Sequence, residues 1–108
     1  MNEYIKKQLP VEELLCQLAE EGAELSKAAL KLRRVIDGTN PTPVKFEEAM
    51  DNLREEIADV MLCLRMLDTD PTHWTYREIM DTKTRRWAQR LKAARQEEGH
   101  GQTPEHRE

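Results

Sequence analysis

The chain has 108 residues, 35% of them charged, with 21 acids against 17 Lys and Arg for a net charge of −4. That length holds one modest core, and with one Phe, two Trp and two Tyr the core must be built from Leu, Ile, Val, Met and Ala. Four Gly and five Pro are too few for a turn-rich sandwich, and β-branched residues never cluster into alternating runs of four to eight, which argues against an all-β fold.

The N-terminus, Met1 to Lys7, has no apolar leader, and no stretch approaches the 18 apolar residues of a membrane span. A cytoplasmic protein with no membrane partner is expected. An isoelectric point near 5.5 argues against a nucleic-acid partner read by the whole surface, leaving only a local basic stripe open. Cys16 and Cys63 are far apart and outside any C-x-x-C pattern, so both are expected as free thiols.

Pro10, the run from Gly38 to Pro43, and Asp70-Pro71 cut the chain into three long periodic segments. The expected fold is all-α: an antiparallel bundle of about three long helices, completed by oligomerisation. The first helix starts near Pro10 and ends before Gly38, a suitable C-cap. The second runs from Thr42 or Pro43 to about Thr69. The third opens at Thr75, where Thr75-Tyr76-Arg77-Glu78 has the form of a capping box. Residues 1–96 are read as one helical domain and 97–108, with Gly99, Gly101 and Pro104, as a flexible polar tail.

The first helix carries Val11, Leu14, Leu18, Leu25, Ala28, Leu32 and Val35 on one stripe. Between Leu18 and Leu25 the register places Glu21, a carboxylate near the centre of the face that should be dry. Glu24 lies about 60° round from it. The second helix has Phe46, Ala49, Met50, Leu53, Ile57, Val60, Leu64 and Leu67 on one face, with Glu56 and Asp59 on its flank at roughly 60° and 120°. From Ile57 to Leu67 nine of eleven residues are apolar, so Leu62 and Met66 are expected to point away from that face and to drive self-association.

Pairs of the form E-x-x-[DE] put two carboxylates one turn apart, where they can share a cation. Of the four such pairs before residue 97, Glu48/Asp51 and Glu78/Asp81 project more than about 100° from their apolar stripes and read as solvated surface. Glu21/Glu24 and Glu56/Asp59 fall in or beside the faces that two antiparallel helices press together. Four converging carboxylates repel, so something positive is required between them: a bound cation, or basic side chains. Oxygen-only ligands select a hard ion, Mg²⁺ first and Mn²⁺ as substitute. The only Glu-x-x-His match, Glu97/His100, lies in the tail, which argues against a di-iron bundle.

The third helix has six cations and no acid from Lys83 to Arg95. Lys83 and Arg86 are candidates for phosphate contact, while Arg85, Lys92 and Arg95 read as solvated.

At these residues the chain resembles the MazG-like all-α nucleoside triphosphate pyrophosphohydrolases, and in particular their short single-domain members encoded by phages and prophages. The likeness rests on Glu20-Glu21-Gly22-Ala23-Glu24-Leu25 and Glu55-Glu56-Ile57-Ala58-Asp59-Val60, similar to that family's paired EExxEL and EExxDV motifs, and on Lys83 with the arginines after it. It covers roughly residues 10–95. What the resemblance implies is a Mg²⁺-dependent enzyme cleaving a nucleoside triphosphate between the α- and β-phosphates to a monophosphate and pyrophosphate, as a homodimer or homotetramer. It further implies that Glu21, Glu24, Glu56 and Asp59 are the metal ligands and catalytic acids, with Lys83 and Arg86 on the substrate. Gly22 is read as allowing close helix approach. Gly22, Gly38, Gly99 and Gly101 lack P-loop spacing, so catalysis would be metal-borne. The alternative from another class is a non-catalytic helical module that dimerises through the second helix and touches an acidic partner or nucleic acid with the third.

Overall fold

The computed structural model describes residues 1–38, 43–69 and 71–101. Among them the architecture is all-α: a short α1 (Asn2–Gln8) and three long helices, α2 (Val11–Asp37), α3 (Phe46–Met66) and α4 (Trp74–Gly101). The chain divides into two units, Met1–Pro71 and Thr72–Glu108.

In the first unit α2 and α3 pack along one another and α1 lies against α3. At 27 and 21 residues the two long helices measure about 40 and 32 Å. The eight residues between them reach at most about 29 Å, too short to return to the start for parallel packing, so the pair is antiparallel.

α2 begins at Val11 with Pro10 just outside at the N-cap, whose carbonyl accepts from the amides of Glu13 and Leu14 at 3.0 and 3.1 Å. It ends as expected at Gly38, whose φ of +67° is the left-handed conformation that costs a glycine no steric clash. α3 is shorter than its sequence pattern at both ends. Pro43 and Val44 precede it as bends, and Thr42 lies outside the described residues. At its C-terminus Asp68 adopts φ +57° and the Thr69 amide reaches back to the Leu64 carbonyl at 2.9 Å, a Schellman closure with Asp in the usual glycine position. The Asp68 carboxylate pairs with Lys6 of α1, and this contact holds the Lys6 ammonium above its ordinary pKa. α1 places Glu3 in its first turn and Lys6 and Lys7 in its last, complementing the helix dipole.

The core is small: Leu14 and Ala28 of α2 and Ala49, Cys63 and Met66 of α3 are the buried apolar residues. Ala28 and Ala49, at 2% and 1% exposure, are the most enclosed of these five. The buried face of α3 differs from the stripe expected. Met66 is buried although it was expected to point away, and Ile57, expected on the stripe, is 40% exposed. On a helical wheel the packed face centres on the Glu56 direction, turned by roughly 60°. A segment apolar on nearly every side can be rotated at little cost in apolar burial. The rotation leaves Ile57, Met61 and Leu62 facing out.

The second unit is α4. Its first turn is organised by His73, not by the expected Thr75 capping box: the His73 Nδ1 accepts from the Thr75 amide at 3.2 Å and its carbonyl accepts from Tyr76 at 3.0 Å. The helix also continues through Glu97, Glu98 and Gly99 to Gly101, beyond where its polar composition suggests an end. Residues 102–108 of the expected tail lie outside the described residues. No helix among the described residues is long and apolar enough to cross a membrane.

Candidate metal centre

The carboxylates singled out by the helical wheel meet at the α2–α3 interface. One oxygen each from Glu21, Glu56 and Asp59 lies within 4.8 Å of the other two, and all three side chains are half-buried. Rotation of α3 toward Glu56 is what brings its carboxylate between the helices. Its Oε2 atom is hidden from solvent and has no hydrogen-bond partner. Burial, and then the charges of Asp59, Glu21, Glu24 and Glu55 in that order, push the Glu56 carboxyl above the ordinary glutamate pKa.

Glu21 accepts a hydrogen bond from the Gln17 amide at 2.9 Å, and among the described residues of the first unit no Lys or Arg pairs with Glu21, Glu56 or Asp59. Glu24 is the one expected ligand outside the set. It is exposed, with its carboxylate 3.4 Å from Lys27 Nζ one turn along α2, yet near enough for its charge to act on Glu56. Cys63, one turn beyond Asp59, is buried; burial first, then the charges of Glu21 and Asp59, raise its thiol pKa. Wheel position alone gave no sign that this thiol would be among the most enclosed side chains.

Glu21, Glu56 and Asp59 suit a hard divalent cation. They are oxygen donors with no histidine or thiolate, they carry three negative charges at full ionisation, and one has an orphaned buried oxygen. Oxygens on opposite sides of a Mg²⁺ ion stand about 4.2 Å apart, the order of the spread found here. Compared with known protein families, curated proteins and solved structures, the chain matches none of them.

The pairs read as solvated surface stay apart from this cluster. Asp51 is exposed and pairs with Arg54 at 3.1 Å, and Glu48, Glu78 and Asp81 are exposed. Gly22 does not mediate close approach: a Cβ built there would meet nothing within 4 Å. Lys83 and Arg86 lie one turn apart on α4, both exposed, beside a hollow of about 300 Å³ that Glu78, Ile79 and Thr82 also line.

Proposed function

We propose that the protein is a nucleoside triphosphate pyrophosphohydrolase dependent on Mg²⁺, with Mn²⁺ as substitute, releasing pyrophosphate and a nucleoside monophosphate. The observation that carries this reading is the Glu21, Glu56 and Asp59 cluster, with its orphaned Glu56 oxygen and, among the described residues of its own unit, no Lys or Arg paired with it. The order of the two carboxylate motifs and their likeness to the MazG-like pattern supply the reaction type.

In this reading Glu21, Glu56 and Asp59 hold the cation and Glu24 joins them by releasing Lys27. When bound, the ion neutralises phosphate charge and lowers the pKa of water at the site. Gln17 orients the Glu21 carboxylate through its hydrogen bond. Lys83 and Arg86 offer donors to phosphate oxygens, Arg86 in a fork that matches them. Hydrolysis of a phosphoanhydride asks chiefly for positioning and charge neutralisation, which this donor set is chemically suited to give.

The outward-facing Ile57, Met61 and Leu62 support a homo-oligomer assembled through α3. A nucleotide substrate and two free thiols suit the cytoplasm. The test is pyrophosphate release across the common NTPs and dNTPs with Mg²⁺. Turnover is expected in the wild type and in Glu48→Gln and is expected to be abolished in Glu56→Gln. No release from any nucleotide, or equal rates in the two variants, overturns the assignment.

A further inference from the structure

The first unit holds fifteen acids against nine Lys and Arg, a net of −6, while residues 83–95 hold six Lys and Arg and no acid. The overall net charge of −4 therefore hides a concentrated positive segment. None of these six cations forms an ion pair among the described residues. Within the segment Trp87 is 63% exposed and shares a hollow of about 280 Å³ with Lys83, Arg86 and Arg90. The four side chains occupy one arc of about 100° of the helix.

We infer that this face of α4 binds single-stranded nucleic acid, with Trp87 stacking one base and Lys83, Arg86 and Arg90 holding the phosphates beside it. Lys83 and Arg90 are about 10 Å apart along the helix axis with Trp87 between them. A base lying on the indole therefore has cations on both sides. That matches a nucleotide inside a strand, which has a phosphate on its 5′ and its 3′ side, better than a free nucleotide with all its phosphates on one side. An acidic peptide would satisfy the cations and leave the indole without a stacking partner. A duplex offers phosphates but keeps its bases stacked away from the ring. An anionic membrane favours cations opposite the apolar residues, whereas these share the arc with Trp87.

The inference shares Lys83 and Arg86 with the hydrolase reading and stands apart from it on Trp87 and Arg90, which have no part there; binding read in EDTA keeps its failure separate from a failure of turnover. The full chain is titrated into a fluorescein-labelled octamer of deoxythymidine in EDTA, and affinity is followed by anisotropy from 50 to 200 mM salt. Three phosphate contacts give a slope of log affinity against log salt of about −2, and Arg90→Gln lowers its magnitude by about 0.7. Trp87→Leu, which keeps an apolar side chain on the helix, weakens binding about 5- to 150-fold, the loss of one stacked base. Trp74→Leu leaves it unchanged, and circular dichroism verifies that each variant keeps its helix content. Unchanged affinity in Trp87→Leu overturns the inference. So does equal binding of an octaglutamate peptide, which would assign the face to an acidic protein, or of a duplex of the same length.

Discussion

Cation binding at Glu21, Glu56 and Asp59 must show as stability, because the three ligands come from two helices that separate on unfolding. The stabilisation is RT ln(1 + [Mg²⁺]/Kd), about 1.4 kcal/mol at ten times the dissociation constant. The unit concerned spans residues 1–71, and in domains of that size 1 kcal/mol moves the midpoint by about 4–8 °C. A rise of about 6–11 °C follows on replacing EDTA by saturating Mg²⁺, read by far-ultraviolet circular dichroism. NaCl of matched ionic strength is the control, since salt alone screens crowded carboxylates. Glu56→Gln removes a ligand and also a charge that the fold holds among other acids. This variant is therefore expected to melt above the wild type in EDTA and to lose most of the Mg²⁺ response, while Glu48→Gln matches the wild type in both. Identical midpoints with and without Mg²⁺, or an undiminished response in Glu56→Gln, would refute the argument.

Three other expectations come from the same interface. Because the Glu56 carboxyl is raised in the folded state, its proton is held more tightly there than in the unfolded chain. The stability it contributes is complete below the ordinary glutamate value and is lost as pH rises through the raised one. The melting advantage of Glu56→Gln over wild type in EDTA should therefore shrink as pH falls from 7.5 to 4.5, and parallel curves would contradict this cause. Ala49 is 1% exposed where the helices approach, so Ala49→Leu overpacks the contact; a loss of about 1–3 kcal/mol in urea unfolding is expected, and a neutral result would mean the helices separate there freely. Cys16 is exposed and Cys63 is buried with a raised thiol pKa, so Ellman's reagent should titrate one thiol rapidly and the second only on unfolding. Two equally fast thiols would show that the α2–α3 interface opens.

Which parts of this structure were legible in the sequence follows from how many turns each signal spans. α2 runs 27 residues between Pro10 and Gly38, so its period and stops are over-determined and its limits agree with the pattern to within a residue. α1, with seven residues and no buried side chain, has less than two full turns and no apolar stripe to detect. The α4 start lies one residue before the expected Thr75; what the sequence hid is the cap, because Thr75-Tyr76-Arg77-Glu78 is a sound cap by composition, while a histidine ring nitrogen accepting an amide two residues on is a rare substitute for one. The rotation of α3 was illegible for a different reason. From Ile57 to Leu67 almost any face can be buried, so hydrophobicity does not choose among them, and burial of Met66 in place of Ile57 is settled by packing against α2 and α1. That choice turns Glu56 inward at a cost in carboxylate desolvation which burying the expected stripe, Ile57 included, would have avoided. A helix with a free choice of face that nonetheless turns an acid inward is the arrangement the proposed cation site would favour. The sign of the Mg²⁺ effect on stability is therefore also a test of why α3 packs in this rotation.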